Sequence, residues 1–477
     1  MTIKFGTDGW RAVIAETFTF ENLRLVSQAM ADYLLEVNNA PSPEIVIGFD
    51  TRFLSDRFAM EVARVMAANG ITAHLARADA PTPAISYNIV HKQAQGGVMI
   101  TASHNPPRYN GFKVKAAYGG AASKQQIAAI ERKLFAVNER IGANLMDYQK
   151  ALDNGLIRRF DPAWPYYEHL TTNLINMDTI HHGELRVVVD SMYGSGRGAF
   201  REVISRTRSR VHELHADLHP GFGGIHPEPV ERNLKELIAT VQNENAHLGL
   251  ATDGDADRIG AVDDRGNYVN AHTIMSLVVR HLVERRGLSG AIAKTISSTL
   301  MLNRLAKKYD LQVHETPVGF DVIAELMMTD DILMGGEESG SISIKGHIPE
   351  GDGVLMGLLL MEIVADAGVP LSELIADLQR EFGPTAYKRN DIRLKNFMPK
   401  AEMVQRLIEN SPQKIAGETV VKVDSYDGVK YHLADDSWLL IRPSGTEPVL
   451  RLYAEAGTDA AVEAMLNTAQ ELSQAGG

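Results

Sequence analysis

Residues 44–50, EIVIGFD, form an apolar run of strand length that ends in an acidic residue. The segment after it has apolar residues at helical spacing, namely Phe58, Val62, Val65 and Met66. Two further strand-like runs follow, ITAHLA at 71–76 and GGVMIT at 96–101. This alternation of strand and helix predicts parallel strands with helices packed on both faces of the sheet.

The same alternation continues over most of the chain and then changes. LRVVVD at 185–190 reads as a strand, as do the runs that begin near residues 247 and 331. From about residue 387, the segments DIRLKN, ETVVKVDSYDGVKYHL and SWLLIR predict a β-meander, and a helix is expected from Asp459. The C-terminal part is therefore expected to be a separate α+β domain.

Composition narrows the possible functions. The chain has 477 residues, 44% of them hydrophobic and 23% charged, which indicates a globular protein of several domains. A net charge of −12 argues against a nucleic-acid partner. The absence of cysteine excludes disulfides and thiolate catalysis. With no signal-peptide pattern, and with an apolar run at 353–361 that is too short to span a bilayer, we expect a soluble, cytoplasmic protein without a membrane partner.

Four unusual polar loops each follow an apolar, strand-like run. They are TASHNPP at 101–107, DGDADR at 253–258, GEESG at 336–340 and RPSGTEP at 442–448. In open α/β sheets, ligands bind outside the carboxyl ends of the strands. The four loops are therefore expected to face one shared cleft.

The DGDADR loop places Asp253, Asp255 and Asp257 at alternate positions. Alternation puts three carboxylates on one side of an extended loop, where they repel one another unless a cation lies among them. Oxygen ligands of this kind favour Mg²⁺ or Ca²⁺. An EF-hand is disfavoured because its template needs Gly at Arg258 and Glu at Asp264, and a solvated acidic turn is the other alternative.

The last two loops have the chemistry of phosphate and sugar recognition. Arg442, the hydroxyls of Ser444 and Thr446, and the loop amides around Gly445 resemble a phosphate cradle, with an ordinary turn as the alternative.

In GEESG, Glu337 and Ser339 can accept and donate hydrogen bonds to sugar hydroxyls. Glu337 and Glu338 do not suit a glycosidase, because adjacent side chains usually point apart. The Gly-rich segment 190–198 lacks a dinucleotide or Walker spacing and predicts a strand-to-helix turn.

Ser103 and His104 invite a hydrolase interpretation. Known Ser–His pairs bring the histidine from a distant part of the chain, adjacent residues rarely point at each other, and no G-x-S-x-G elbow is present. A serine near a three-carboxylate metal site and a phosphate cradle suits phosphoryl transfer better.

The four loops, in this order, together with KFGTDGWRA at 4–12, resemble the signature segments of the α-D-phosphohexomutase family, and most of all its bacterial phosphoglucomutases. The resemblance implies three consecutive α/β domains with mixed sheets, followed by a C-terminal α+β domain, around a central cleft. The implied bounds are 1–155, 156–265, 266–383 and 384–477.

The resemblance also implies a mechanism. Ser103 would carry a phosphoryl group, with Mg²⁺ held by that phosphate and by Asp253, Asp255 and Asp257, and glucose 1,6-bisphosphate would be the intermediate and activator. Lys113 and then His104 are the implied acid/base candidates, and Arg11 and Arg258 would offset phosphate charge. The implied substrate-binding residues are Gly319, Glu337, Ser339, His347, Arg442, Ser444, Gly445 and Thr446.

A few further residues bear on which hexose phosphate is the substrate. Glu338 in GEESG and the HIPEGDG segment at 347–353 resemble the glucose-specific branch, whereas Asp321 stands where a lysine is common. We expect interconversion of glucose 1-phosphate and glucose 6-phosphate by a monomer or dimer. The alternatives are mannose or dual specificity and, less favoured, glucosamine specificity or a metal-dependent phosphatase.

Overall fold

The computed structural model describes residues 3–6, 9–37, 42–138, 142–394, 399–444 and 449–474. Four sheets follow one another along the chain. The first contains β1 (Trp10–Val13), β2 (Glu44–Phe49), β3 (Thr72–Ala76), β4 (Gly96–Ile100), β5 (Tyr109–Ala116) and β6 (Ile157–Phe160), in the order β1-β5-β4-β2-β3-β6. Its helices are α1 (Phe20–Val37), α2 (Ser55–Ala68), α3 (Thr82–His91), α4 (Lys124–Asn138) and α5 (Tyr148–Asp153). The β2, β3, β4 and β6 strands are parallel, whereas β5 is antiparallel to β4 and β1, so the sheet is mixed as expected.

The second sheet has the order β11-β10-β9-β7-β8. Its strands are β7 (Arg186–Asp190), β8 (Arg210–Leu214), β9 (Leu248–Thr252), β10 (Ile259–Val262) and β11 (Tyr268–Val269). Four helices accompany it, namely α6 (Ala163–His169), α7 (Met177–Gly183), α8 (Ala199–Ile204) and α9 (Lys235–Glu244). The segment between β7 and α8 is the predicted strand-to-helix turn.

The third sheet has the order β13-β12-β14-β15. Its strands are β12 (Ala291–Thr295), β13 (Val313–Thr316), β14 (Ile332–Gly336) and β15 (Ile342–Ile344). Its helices are α10 (Ala271–Glu284), α11 (Met301–Tyr309), α12 (Phe320–Thr329), α13 (Gly353–Ala367) and α14 (Leu371–Phe382). The β12, β13 and β14 strands are parallel and β15 is antiparallel, so this sheet is also mixed.

The C-terminal part is antiparallel throughout, as the sequence predicts. Its strands are β16 (Ala386–Arg393), β17 (Lys414–Ile415), β18 (Glu418–Asp424), β19 (Val429–Leu433), β20 (Trp438–Pro443) and β21 (Val449–Ala456). They follow the order β16-β21-β20-β19-β18-β17, with α15 (Lys400–Glu409) and α16 (Asp459–Gln474) beside them. The expected helix from Asp459 is therefore present.

The most apolar run of the sequence forms the first part of α13. This helix is buried over Gly353–Val364 and packs on α7 and α10 and against β9 and β10, so it joins the cores of the second and third domains. Among the described residues, no single helix is long and apolar enough to cross a membrane. Only α13 and α14 taken together pass on length and composition, and they are bent by 84° relative to each other.

The sheets place two strands near the expected domain bounds. The β6 strand pairs with β3 in the first sheet, although it begins two residues past the expected bound at 155. The β11 strand pairs with β10 in the second sheet and lies just past the expected bound at 265. The β6 strand pairs with a segment far earlier in the chain, so its local sequence gives no signal of its sheet, whereas β11 completes a short hairpin with β10 across the expected bound.

Candidate active site

Ser103 lies in a tight turn directly after β4. Its side chain is buried, and its backbone has a φ of 51°, which is in the left-handed region. The Ser103 N–H donates to Thr101 Oγ1 at 2.8 Å, and the Ser103 hydroxyl donates to Asp253 Oδ2 at 2.8 Å. The first and second of the four loops are therefore in direct contact through the hydroxyl itself.

His104 does contact its neighbour, because Ser103 Oγ lies 3.2 Å from His104 Nδ1. The expectation that these adjacent side chains point apart is wrong, since the chain turns at Ser103 instead of running extended. Burial, and then the guanidinium groups of Arg258 and Arg11, hold the pKa of His104 well below its usual value. The imidazole is therefore neutral at physiological pH.

The backbone turn that carries Ser103 is stabilised by Arg52, a residue that was not predicted from the sequence. Its side chain is fully buried, and its Nε donates to Asp50 Oδ2 at 3.0 Å. The remaining N–H groups reach four backbone carbonyls of the turn, those of Ser103, Asn105, Pro106 and Tyr109, at 2.5 to 3.1 Å. All five guanidinium donors are thus used to shape one loop.

Replacing Arg52 with alanine should destabilise the first domain by about 3–5 kcal/mol, because it leaves Asp50 buried without its partner and four carbonyls without donors. Urea unfolding followed by circular dichroism would show the loss. Arg57→Ala is the matched control, since Arg57 is exposed and lies 3.6 Å from Asp56. It should change stability by less than about 0.5 kcal/mol. Equal unfolding curves for the two variants would contradict the role given to Arg52.

The second loop forms the predicted carboxylate cluster. Asp253, Asp255 and Asp257 are buried, and one ligand oxygen from each lies within 4.8 Å of the others. Oδ1 of Asp255 and Oδ1 of Asp257 have no hydrogen-bond partner among the described residues. Three buried carboxylates with oxygens left over fit a hard divalent cation such as Mg²⁺, which would also relieve their mutual repulsion.

Lys113 projects from β5 into the carboxylate cluster. Its buried ammonium donates to Asp257 Oδ2 at 2.7 Å and lies 2.9 Å from Asp255 Oδ2. Burial raises the pKa of Asp255, but Lys113, the Thr82 hydroxyl and Arg11 together outweigh that effect and the net pKa is lowered. The cluster and its lysine thus come from different domains and meet beside Ser103.

Arg11 lies on β1 and donates from Nη1 to Asn105 Oδ1 at 2.8 Å, which places it against the Ser103 turn. Arg258 follows the carboxylate cluster, and its backbone N–H donates to Asp253 Oδ1 at 3.2 Å. Both guanidinium groups lower the pKa of His104, whose Nδ1 lies 3.2 Å from Ser103 Oγ.

The third loop abuts the second. The Ile259 N–H donates to the carbonyl of Gly340 at 3.1 Å. Glu337 Oε1 accepts from the Gly319 N–H at 2.9 Å, and Ser339 Oγ lies 3.4 Å from Glu337 Oε2. Burial raises the pKa of Glu337 to about 7, against the opposing effect of Arg258. The structure therefore brings together Arg258, Gly319, Glu337 and Ser339.

Three other residues singled out in the sequence lie in interdomain contacts. Glu338 turns toward the last domain, where Oε1 accepts from Arg389 Nη1 at 3.0 Å. The His347 side chain is fully buried, with Nε2 2.9 Å from Asp352 Oδ2 and Nδ1 3.2 Å from His169 Nε2 of the second domain, so both ring nitrogens have protein partners. Asp321 Oδ2 lies 3.7 Å from Lys124 Nζ of the first domain.

The fourth loop is described in part. Arg442 Nε donates to Asp427 Oδ2 at 2.9 Å, and the buried Ser444 donates its N–H to the carbonyl of Val449 at 2.9 Å. Gly445 and Thr446, also expected to bind phosphate, lie outside the described residues.

Two supporting contacts were not anticipated from the sequence. Thr82, at the start of α3, donates its hydroxyl to Asp255 Oδ2 at 2.7 Å. The turn at 190–198 packs under the carboxylate cluster, since the Ser195 N–H donates to the carbonyl of Gly254 at 3.0 Å. Asp50 and Arg52 could have been found in the same way as the four loops, by looking for polar residues directly after a buried strand.

The separation of the site into two ends indicates what it does. At one end the Ser103 hydroxyl meets a carboxylate cluster, and in the last domain the guanidinium of Arg442 donates from Nε to Asp427 and, among the described residues, has no hydrogen-bond partner at its Nη groups. Glu337, an acceptor suited to sugar hydroxyls, lies in the third domain. A hydrolase has no need of the second end, whereas an enzyme that moves a phosphoryl group between two positions of a sugar phosphate must bind phosphate at both. The fold and site are those of a phosphohexomutase.

Comparison with known proteins gives the particular family. Four family models match in order: phosphoglucomutase/phosphomannomutase α/β/α domain I at residues 2–140, domain II at 165–266, domain III at 270–382 and the C-terminal domain at 400–471. A phosphoglucomutase/phosphomannomutase of Thermococcus kodakarensis is 30% identical over 95% of each chain. A "probable phosphoglucosamine mutase" of Pyrococcus abyssi is 30% identical over 98% of this chain and 97% of its own.

A solved structure gives the same answer. That of a phosphomannomutase-type protein from Thermus thermophilus has 33% identity and a TM-score of 0.86 over 98% of both chains. This chain belongs to the phosphoglucomutase/phosphomannomutase family of the α-D-phosphohexomutase superfamily.

Proposed function

We propose that this enzyme reversibly interconverts glucose 1-phosphate and glucose 6-phosphate, with Ser103 as the phosphoryl carrier and a hexose 1,6-bisphosphate as the intermediate. The observation that carries the proposal is the position of the Ser103 hydroxyl, 2.8 Å from Asp253 in a buried carboxylate cluster. A buried hydroxyl in that position can hold a phosphate close to a cation.

The transfer step exchanges one P–O bond for another. The bond between phosphorus and Ser103 Oγ breaks while a bond forms from phosphorus to the free hydroxyl of the bound hexose phosphate. The proton of that sugar hydroxyl passes to a base, and Ser103 Oγ receives a proton as it leaves. The reverse step, on the bisphosphate held the other way round, returns the second phosphate to Ser103.

Lys113 and His104 are the proposed proton carriers. The Lys113 ammonium, held by two carboxylates, suits the role of donor. His104 is kept neutral by burial and by nearby guanidinium groups, so it can accept a proton, and it already lies 3.2 Å from Ser103 Oγ. Arg11 and Arg258 would offset the charge of the phosphate during transfer.

Asp253, Asp255 and Asp257, together with a phosphate on Ser103, would hold Mg²⁺. When bound, that cation neutralises charge on the transferring phosphate. In its absence, Lys113 supplies the positive charge that faces Asp255 and Asp257.

Glu337 gives the reaction a pH dependence. Because its pKa is about 7, its carboxylate is the main form only above that pH, and a carboxylate is the better acceptor for sugar hydroxyls. We expect KM for the hexose phosphate to rise about tenfold as pH falls from about 8 to about 6. In Glu337→Gln, KM should be raised throughout and its pH dependence should shrink to that of the substrate's own phosphate. Parallel KM profiles for the two proteins would contradict this role.

The test of substrate identity is a set of kinetic measurements with glucose, mannose and glucosamine 1-phosphates, each with Mg²⁺ and a trace of the matching bisphosphate. The proposal expects kcat/KM to be highest for glucose 1-phosphate. Release of inorganic phosphate without isomerisation would instead identify a phosphatase.

Glucosamine 1-phosphate is the second candidate substrate. The relatives named above include a phosphoglucosamine mutase at the same identity as the phosphoglucomutase/phosphomannomutase. In addition, Glu338, on which the choice of glucose partly rests, is bound to Arg389 of the last domain. A higher kcat/KM for glucosamine 1-phosphate would decide in its favour.

A further inference from the structure

The hairpin turn between β18 and β19 places one carboxylate at the boundary of the third and fourth domains. Asp427 is buried, and its Oδ2 accepts from the Val318 N–H at 2.9 Å and from Arg442 Nε at 2.9 Å. Its Oδ1 accepts from Lys400 Nζ at 2.5 Å. Burial raises the pKa of Asp427, but Lys400 and Arg442 outweigh that effect and keep it ionised.

The hairpin turn packs closely against Arg442 and is hydrogen-bonded to the third domain. Gly428 has a φ of 99°, and a Cβ there would lie 3.0 Å from Arg442 Cα and 2.7 Å from the carbonyl oxygen of Ile441, so the backbones approach too closely for another residue. Tyr426 donates its hydroxyl to Glu315 Oε1 of the third domain at 2.9 Å. The position of Asp427 is therefore fixed by both domains.

Two consecutive peptide groups connect Asp427 to Glu337 of the third loop, GEESG at 336–340. The Val318 N–H donates to Asp427, and the next N–H, that of Gly319, donates to Glu337 Oε1 at 2.9 Å. Two carboxylates thus accept from consecutive N–H groups, namely Glu337 in the third loop and Asp427 beside Arg442. Any shift of residues 318–319 must change both hydrogen bonds.

The contact with Asp427 also orients Arg442. Among the described residues, the Arg442 side chain is hydrogen-bonded only through Nε, so its two Nη groups can donate to an anion. A guanidinium held by one edge presents its other donors as a fixed fork, the geometry that suits phosphate.

From these contacts we propose that Asp427 is a positioning residue that couples the sugar-binding carboxylate Glu337 to the phosphate-binding guanidinium Arg442. Asp427 touches no reacting atom. It acts through Val318 and Gly319 on one side and through Arg442 on the other. The position of the group that binds the sugar hydroxyls is thereby coupled to the position of the group that binds the phosphate of the same substrate. The inference rests on the hexose-phosphate substrate proposed above.

The test is Asp427→Asn, which keeps the size of the side chain but replaces one acceptor oxygen with an amide that faces Arg442 or Lys400. We expect KM for the hexose phosphate to rise about tenfold while kcat changes less than about threefold, because the bond-breaking groups at Ser103 are untouched. Calorimetric titration of glucose 6-phosphate into Ser103→Ala, with and without Asp427→Asn, should show the same loss in affinity without turnover.

Asp424→Asn is the matched control on the same hairpin. Asp424 pairs with Lys422 at 2.8 Å and with His432 at 2.9 Å, and among the described residues its side chain is bonded to neither Val318, Gly319 nor Arg442. Its KM should stay within about twofold of the parent. An equal rise in both variants would assign the effect to the hairpin in general and overturn the proposal.

A double-mutant cycle separates coupling from simple loss of contacts. If Asp427 acts through Gly319 on Glu337, Asp427→Asn should weaken binding much less in a Glu337→Gln background than in the parent. Additive effects, or an affinity within about twofold of the parent for Asp427→Asn alone, would overturn the inference. If the parent lacks mutase activity but binds glucose 6-phosphate, the proposed function fails and the calorimetric cycle still tests Asp427.

Discussion

Replacing Ser103 with alanine should lower kcat for hexose-phosphate isomerisation by about ten-thousand-fold or more, because the variant lacks the hydroxyl proposed to carry the phosphoryl between the two positions of the sugar. The Ser103 hydroxyl reaches the carboxylate cluster through Asp253 and lies 3.2 Å from His104 Nδ1. Intact-mass measurement after incubation with glucose 1,6-bisphosphate should show one added phosphoryl group on the parent protein and none on the variant.

The matched control is Ser86→Ala. Ser86 is a buried serine of α3 whose Oγ has no hydrogen-bond partner among the described residues, so its removal should leave both activity and phosphorylation within about twofold. Substantial mutase activity in Ser103→Ala, or a phosphoryl group on that variant, would place the carrier elsewhere and refute the mechanism.

Replacing Asp253 with asparagine should lower kcat by about a thousandfold, because a neutral amide replaces the charged carboxylate that would ligate the cation and that accepts from the Ser103 hydroxyl. The substitution also removes one of three negative charges, since the three carboxylates have oxygens within 4.8 Å of one another and repel when no cation is bound. Without divalent cations the variant should therefore unfold at a temperature no lower than the parent. With Mg²⁺, the midpoint should rise for the parent and stay nearly constant for the variant.

Glu231→Gln serves as the control for Asp253→Asn, since Glu231 is an exposed carboxylate of the same domain. It should keep both the activity and the Mg²⁺-dependent rise of the unfolding midpoint. If Mg²⁺ stabilised Asp253→Asn as much as the parent, the carboxylate cluster would not be the cation site.

Sequence reasoning succeeded where function follows local pattern. Each of the four loops directly follows an apolar run, and the carboxyl end of a strand is where α/β sheets open toward ligands. For the same reason, the sequence alone predicts that the loops of Ser103, Asp253 and Glu337 face one cleft. The alternation of Asp253, Asp255 and Asp257 was sufficient to predict that they cluster.

The parts that were missed depend on contacts between distant segments. Arg52 shapes the Ser103 turn from the end of another strand, and Asp427 lies in a hairpin whose sequence reads as an ordinary turn. The contact between Ser103 and His104 was missed because it depends on a left-handed backbone, which no side-chain pattern reveals. A strand pairing such as that of β6 with β3 is likewise decided by tertiary packing.

The left-handed backbone at Ser103 also narrows which amino acid can serve as the carrier. Threonine offers the same hydroxyl and is phosphorylated as readily in principle, but a β-branched side chain is strongly disfavoured at a φ of 51°. The four carbonyls bound by Arg52 hold the turn in that conformation, so the backbone cannot relax to admit the extra methyl group. The choice of serine over threonine at this position is thus dictated by chain geometry rather than by the chemistry of the hydroxyl.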